Sequence, residues 1–179
     1  MRILKTLNLL ILLPFIFLIS CGAKSNTYRR KIISVHDGDT FTDEASTKYR
    51  LYGVDTPETS SQYNDFKSTE GIEKIYAIEA TNFTKHLILN KIIQVIHITI
   101  DPYGRDVSRI MIGNKDLSME LIKAGLARVA YIDVIKDSIY ETKDYDYFKK
   151  LLRCQYNARL EKKGFWLREN YFSTIFPKA

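Results

Sequence analysis

The chain has 179 residues, of which 45% are hydrophobic and 12% aromatic, and its formal net charge at pH 7 is +6. This length is typical of one domain of ordinary size, and the apolar content excludes a chain that is disordered throughout. The modest basic excess fits a polyanionic partner or an anionic membrane surface and does not choose between them.

The N-terminal region has the pattern of a secretory signal. Arg2 and Lys5 precede an apolar run over residues 7–19, which is shorter than the roughly 20 residues of a membrane-spanning helix. The run ends in "LISCG" (residues 18–22), which resembles the lipobox of bacterial lipoproteins. The resemblance implies a signal peptide over residues 1–20, a lipidated Cys21 and a tether over residues 21–28. Gly22 favours an outer or surface membrane of the cell envelope. A plain secreted protein or an uncleaved anchor is the alternative.

With Cys21 lipidated, Cys154 would have no partner for an intrachain disulfide. Cys154 lies in a helical pattern beside Leu151 and Leu152, which favours a buried structural thiol. The three histidines, His36, His86 and His97, lack the spacing of a metal site.

The mature chain is predicted to contain short strands followed by helices. The first strand ends near Gly38, and two more are joined by a tight turn near residues 43–47. A polar, exposed loop covers residues 59–71 and a helix about 72–89. Strands at 91–100 and 106–113 flank the turn "DPYG". A short helix runs from an Asp116 N-cap to Gly125, "RVAYI" is extended, and a last helix covers about 143–163. This order indicates a small closed barrel with helices packed against it.

Two acidic motifs follow strands in this prediction. "DGDT" (residues 37–40) follows the first strand, and "RLYGVDTPE" (residues 50–58) places Asp55 and Thr56 at the end of another. If these strand ends meet, Asp39, Asp55 and a backbone carbonyl form an oxygen site for a hard divalent cation. On its own, "DGDT" is a weak signal that is more typical of an ordinary turn.

Three further side chains suggest chemistry at the same place. Arg50 begins the strand that ends at Asp55, and Arg105 follows the "DPYG" turn; each offers a planar fork of donors that suits a phosphate. Glu58 lies just beyond the acidic pair and could orient or deprotonate a water. Together with a cation, these groups suit phosphodiester hydrolysis. The alternative is that both arginines are surface residues that pair with carboxylates.

The ordered set "DGDT", "RLYGVDTPE", "DPYGR" and "AGLARVAY" resembles the staphylococcal nuclease (thermonuclease-like) family over about residues 29–168. The resemblance implies an α+β fold with a mainly β core: a five-stranded OB-fold barrel with about three packed helices. It implies a monomeric nuclease domain over residues 29–170, followed by a C-terminal tail over residues 171–179. It also implies Ca²⁺-dependent endo- or exonucleolytic hydrolysis of DNA and RNA that leaves 3′-phosphate ends.

The resemblance also assigns roles to single residues. Asp39 and Asp55 match the Ca²⁺ carboxylates and Thr56 the carbonyl ligand. The catalytic positions are matched by Arg50, Glu58 and Arg105.

The chain departs from the family pattern around the nucleotide. Tyr103 and Tyr131 match tyrosines near the nucleotide. Pro102 stands where the family has a lysine that contacts the nucleotide. Asp133, two residues after Tyr131, stands where the family has a second tyrosine. These changes put recognition of a terminal phosphate in doubt and leave the catalytic set intact.

Two other classes of function remain open. OB-fold barrels also bind single-stranded nucleic acid through a basic groove and aromatic side chains, without catalysis. A structural envelope lipoprotein with a vestigial site is the other alternative. The presence of Arg50, Glu58 and Arg105 together favours the enzyme, and a DNA digest with and without Ca²⁺ separates the three classes.

Overall fold

The structure is a computed structural model that describes residues 26–59 and 71–177. The signal peptide, Cys21, most of the tether and most of the loop predicted at residues 59–71 lie outside the described residues. Within the described ranges, no helix is both long enough and apolar enough to cross a membrane.

The described residues contain eight strands, five of which form a closed barrel. The strands are β1 (Thr27–Val35), β2 (Thr40–Asp43), β3 (Lys48–Leu51), β4 (Val54–Asp55), β5 (Ile92–Ile100), β6 (Asp106–Ile112), β7 (Lys115–Asp116) and β8 (Arg128–Val129). The main sheet has the order β3-β2-β1-β5-β6-β7, and a parallel pairing of β3 with β6 closes it. The two short strands β4 and β8 pair separately. The predicted five-stranded barrel is confirmed.

Apolar side chains from alternate positions fill the barrel. β-Branched and aromatic residues suit this pleated, half-buried surface, and the interior residues are almost fully excluded from water. The buried barrel residues include Ile32, Phe41, Tyr49, Leu51, Ile93, Val95 and Ile110. The ends of β2, β3 and β4 therefore stand on a rigid base, where polar side chains can be held in fixed positions.

The helices are α1 (Gly71–Ile88), α2 (Leu117–Lys123), α3 (Tyr145–Leu160), a 3₁₀ helix (Gly164–Leu167) and α4 (Glu169–Ile175). The predicted cap of α2 is confirmed, because the Asp116 carboxylate accepts a hydrogen bond from the Met119 backbone nitrogen at 3.3 Å. The predicted extended piece "RVAYI" is shorter than expected. Only Arg128 and Val129 form a strand, and Tyr131 has a left-handed backbone with φ of 55°.

Two glycines lock the ends of α2 and α3 together. Gly125 and Gly164 have φ of +70° and +48°, and a Cβ on either would lie 2.1–2.2 Å from a carbonyl oxygen of the other segment. The Phe165 backbone nitrogen donates to the Gly125 carbonyl at 3.1 Å. Gly125 was predicted as the end of a helix, and the structure adds that both glycines are required by a close approach of two backbones.

The prediction of about three helices and a C-terminal tail misses α4. Its N-cap residue, Arg168, makes no side-chain capping bond, so the sequence carries no start signal there. The helix forms because an aromatic cluster packs it against the domain: Phe165, Trp166, Phe172 and Phe176 have ring centroids 4.7–6.3 Å apart. β1 starts at Thr27, shortly before the predicted start of the nuclease domain at residue 29.

Candidate active site

The turn between β1 and β2 packs closely against the rest of the protein. The Asp37 carboxylate accepts a hydrogen bond from the Asp39 backbone nitrogen at 3.1 Å, which tightens the turn. A Cβ at Gly38 would lie 2.8 Å both from the Ala80 Cβ and from the Thr56 Cγ2. The glycine of "DGDT" is therefore required by close packing of the turn against α1 and Thr56, which turn chemistry alone does not indicate.

Arg50 joins the two acidic motifs. Its Nη1 donates to Asp39 Oδ1, and its Nη2 donates to Asp55 Oδ1 at 2.9 Å. All three side chains are at least nine-tenths buried. Burial alone would lower the pKa of the Arg50 guanidinium, but the carboxylates of Asp39 and Asp55 raise it above its usual range. The predicted meeting of the strand ends is thus present, with a guanidinium between the two carboxylates.

Thr56 holds the other side of Asp39. Its backbone nitrogen and its Oγ1 both donate to Asp39 Oδ2, at 2.8 and 3.0 Å. Burial raises the pKa of the Asp39 carboxyl to about 6, against the opposing effect of the Arg50 charge. The structure therefore gives Thr56 a definite role in orienting Asp39, which is separate from the role predicted for its carbonyl.

Arg128 belongs to this cluster and was not predicted. β4 and β8 pair so that Asp55 lies opposite Arg128. The Nε and Nη2 of Arg128 donate to Asp55 Oδ2 at 3.0 and 2.9 Å. The motif "AGLARVAY" contains this arginine, but nothing in its local sequence indicates a carboxylate partner 73 residues away.

Glu58 is half-buried at the exit of β4. Burial raises the pKa of its carboxyl to about 8, and Arg50 opposes this rise. Negative charges of three aspartates add to it: Asp39, Asp37 and Asp55. In the metal-free protein Glu58 is therefore largely protonated at pH 7, and a cation nearby would return it to the carboxylate form that a general base requires.

Arg105 stands apart from this cluster in the structure. Its Nε donates to Asp101 Oδ2 at 2.6 Å, and its guanidinium lies 5.3 Å from the centre of the Tyr103 ring. Asp101 also accepts hydrogen bonds from the Tyr103 and Arg105 backbone nitrogens, both at 2.9 Å, and so holds the predicted turn. Tyr103 is 82% exposed. The bond to Asp101 uses Nε, so the Nη atoms of Arg105 could contact a phosphate while this bond is kept.

Tyr131, in contrast, reaches the cluster. Its ring centre lies 5.5 Å from the Arg50 guanidinium carbon, and 47% of the residue stays exposed. Tyr131 therefore lies beside Arg50 at the surface of the cluster and is not part of the core.

The charge of the cluster fits a divalent cation. Among the described residues, four carboxyl groups (Asp37, Asp39, Asp55 and Glu58) interact with two guanidinium groups, those of Arg50 and Arg128. A cation would offset the excess negative charge, and carboxylate oxygens are ligands that Ca²⁺ prefers. Both oxygens of Asp39 and both of Asp55 already accept protein hydrogen bonds, so a cation would share or replace these donors.

Residues 26–59 and 71–177 contain no cluster of three His, Cys, Asp or Glu side chains suited to a metal. The ligand set implied by the resemblance has only two carboxylates, so it depends on backbone carbonyl, water or substrate oxygens for the remaining positions.

Cys154 agrees with its predicted structural role. It is half-buried against the hydrophobic core, and burial raises the pKa of its thiol.

Comparison with known proteins identifies the family. Residues 48–168 match the family model described as staphylococcal nuclease homologue. The chain is 34% identical over 131 residues to "Probable endonuclease LCL3" of Saccharomyces cerevisiae (strain RM11-1a), which covers 70% of this chain and 42% of that protein. A protein of the same name from Komagataella phaffii (strain GS115) is 31% identical over 125 residues, 65% of this chain and 47% of that protein. The chain spans less than half the length of these relatives.

The matched residues include β3, β4 and β8, which carry Arg50, Asp55 and Arg128, and also Arg105, which directly precedes β6. The chain belongs to the staphylococcal nuclease family.

Proposed function

We propose that this protein is a Ca²⁺-dependent nuclease that hydrolyses phosphodiester bonds of DNA and RNA. The observation that carries the proposal is the buried Arg50, held between Asp39 and Asp55 with Glu58 beside them. The relatives named as probable endonucleases support it. The excess of carboxylates around Arg50 suits a cation, and a phosphate would add acceptors for the two arginines.

Each residue of the candidate site has a separate role in the proposed hydrolysis. Asp39, Asp55 and the Thr56 carbonyl would hold Ca²⁺, which supplies Lewis-acid stabilisation of charge on a phosphate oxygen. Arg50 binds the phosphate and stabilises the charge that develops in the transition state, and Arg105 contributes a second guanidinium through its Nη atoms. Glu58, once ionised, orients a water and accepts its proton. Water attack with departure of the 5′-oxygen leaves a 3′-phosphate.

The first test is cleavage of linear and circular DNA and of RNA by the full-length protein in detergent, with Ca²⁺, Mg²⁺ or a calcium chelator. Cleavage is expected with Ca²⁺ and much less with Mg²⁺, because Mg²⁺ demands a tighter octahedral shell and releases water reluctantly. Cut circles distinguish endonuclease from exonuclease action. Full activity in excess chelator would refute the metal assignment.

The second test removes the catalytic groups one at a time. Arg50→Lys, Arg105→Lys and Glu58→Gln are each expected to lower single-turnover cleavage about 10²- to 10³-fold, the usual effect of losing one donor to a transition state. Arg153→Lys, on the exposed face of α3, is the matched control. Variants that keep more than about half of the parental rate would show that these residues are not the catalytic set, and a parent that binds DNA without cleaving it would favour a binding module.

The same proposal places the nuclease at the cell envelope through a lipid on Cys21. The support is the sequence pattern of residues 1–22, which lies outside the described residues. Cys21→Ala is expected to release the protein from membranes or to stall its processing. Stable lipid anchoring needs two or more acyl chains, and the variant lacks the cysteine that would carry them. Retention of the variant after a carbonate wash would therefore indicate an uncleaved helix.

A further inference from the structure

The segment over residues 131–142, here called the 131–142 loop, follows β8 and carries a second tyrosine to the candidate site. The rings of Tyr131 and Tyr140 meet edge to face, with centroids 5.4 Å apart. Tyr140 is 42% exposed and Tyr131 is 47% exposed. An aromatic pair that served only the core would be buried, whereas this pair presents ring surface to solvent beside Arg50.

Asp133 gives the 131–142 loop its shape. Its carboxylate accepts hydrogen bonds from the Ile135 backbone nitrogen at 3.0 Å and from the Ser138 hydroxyl at 2.7 Å. Its backbone nitrogen donates to the Tyr140 carbonyl at 2.9 Å, and its carbonyl accepts from Thr142 at 2.8 Å. The aspartate that replaces a family tyrosine therefore folds the loop back, and this fold places Tyr140 against Tyr131.

Tyr131 is held in an uncommon conformation at the start of this loop. Its φ of 55° lies in the left-handed region, which costs a non-glycine residue about 1–3 kcal/mol and is found mainly where function or packing requires it. Here the conformation turns the chain out of β8 and leaves the ring over Arg50 at 5.5 Å. The backbone strain, the exposed ring pair and the guanidinium thus coincide at one place.

We infer that Tyr140 is a substrate-binding residue, which forms with Tyr131 an aromatic surface for one unpaired base of a single-stranded nucleic acid. The inference rests on the proposed function and extends its substrate recognition. A phosphate at Arg50 places the neighbouring base within reach of the ring pair, and base–aromatic stacking tolerates any base. Duplex substrates must open locally to use this surface.

The test measures binding without cleavage. In a Glu58→Gln background, full-length protein in detergent with Ca²⁺ is titrated into a fluorescent single-stranded oligothymidine, and anisotropy is recorded. Tyr140→Ala is expected to raise the Kd about tenfold, within the range for loss of one stacking aromatic. Tyr140→Phe keeps the ring and is expected to stay within about twofold of the parent. Tyr156→Ala, an exposed tyrosine on α3, is the matched control and is expected to bind like the parent.

An oligonucleotide of equal length with abasic sugars separates base stacking from backbone contacts. The parent is expected to bind it with a higher Kd than the oligothymidine. Tyr140→Ala is expected to leave the Kd for the abasic oligonucleotide unchanged. Parental binding by Tyr140→Ala, an equal loss on the abasic oligonucleotide, or failure of the Glu58→Gln parent to bind the oligothymidine would overturn the inference. Circular dichroism confirms that each variant is folded. Because the readout is binding, the two proposals can fail separately. A protein that does not cleave DNA but loses affinity on Tyr140→Ala refutes the nuclease and supports the role of Tyr140. A protein that cleaves DNA but binds equally well with Tyr140→Ala supports the nuclease and refutes the role of Tyr140.

Discussion

Arg128 lies opposite Asp55 in the β4–β8 pair, and its Nε and Nη2 both donate to the same oxygen, Asp55 Oδ2, at 3.0 and 2.9 Å. The other oxygen of Asp55 accepts from Arg50 at 2.9 Å. The carboxylate predicted to bind a cation is thus held between two guanidinium groups that come from distant parts of the chain. A ladder of only two residue pairs sets this arrangement, because the register of a strand pair decides which side chains face each other.

Arg128→Met is expected to destabilise the protein. The substitution leaves the buried Asp55 carboxylate with one charged partner, and loss of a charged hydrogen-bond partner at a buried group commonly costs about 1–3 kcal/mol. Urea unfolding in the presence of chelator measures the loss. The loss is expected to be smaller in Ca²⁺, since the cation replaces part of the missing positive charge. Arg153→Met is the control, and equal stability of the two variants would contradict this account of Arg128.

Gly38→Ala is expected to damage both stability and the site. An added Cβ would lie 2.8 Å from Ala80 and from Thr56, so the turn or its neighbours must shift. Overpacking of this kind costs about 1–3 kcal/mol, and any shift of Thr56 disturbs its two hydrogen bonds to Asp39. Urea unfolding and the Ca²⁺ dependence of cleavage are the measurements. Parental values in both would show that the turn tolerates a side chain and is not closely packed.

The stability of the metal-free protein is expected to fall as the pH rises from 4.5 to 8. The pKa of Glu58 is raised from 4.5 to about 8 in the folded state, chiefly by burial. Since the folded state holds this proton more tightly than the unfolded state, its contribution to stability is complete below pH 4.5 and lost by about pH 8. Asp39, with its pKa raised to about 6, acts in the same direction.

Glu58→Gln tests the pH effect, because the amide mimics the protonated carboxyl and does not titrate. Urea unfolding in chelator at several pH values is expected to show a flatter profile for the variant, with a difference of a few kcal/mol at pH 8. Parallel profiles for the parent and the variant would refute the raised pKa of Glu58.

Phe176→Ala is expected to lower the stability of the domain and to loosen the packing that holds Arg128 against Asp55. The Phe176 ring is 8% exposed, packs 5.5 Å from Phe165 and lies 4.6 Å from the Arg128 guanidinium carbon. Truncation of a buried phenylalanine costs about 3–5 kcal/mol. Thermal unfolding gives the cost, and Leu167→Ala, at a residue that is 55% exposed, is the control. A loss of stability smaller than that of Leu167→Ala would show that this segment does not contribute to the fold.

Local sequence was sufficient for most of the fold. The alternation of β-branched residues predicts β5, and the spacing of apolar residues predicts α1 within one residue at each end. Asp116 and Gly125 mark the ends of α2 because caps are chemical requirements of the helix terminus itself. The α4 helix escapes this reasoning, since aromatic packing rather than a cap stabilises it.

The candidate site divides in the same way. Asp39, Arg50, Asp55 and Glu58 were predicted because motif spacing places them at strand ends, and a barrel brings those ends together. Arg105 was predicted for the same site from the "DPYGR" motif, and its observed partner is Asp101, four residues away. Arg128 and Tyr140 depend on the register of β4 with β8 and on the fold of the 131–142 loop.

The sequence by itself determined the barrel, the positions of α1, α2 and α3, and the set of charged residues at the strand ends, because each follows from local periodicity, caps and motif spacing. Only the tertiary structure decided that Arg50 lies between two carboxylates, that Arg128 faces Asp55, that Gly38 has no room for a side chain, and that Tyr140 meets Tyr131. The contacts of Arg128 and Gly38 join segments far apart in the chain, whereas those of Arg50 and Tyr140 depend on how neighbouring strands and one loop fold back. Such contacts arise from strand register and close packing, which no local pattern of residues encodes.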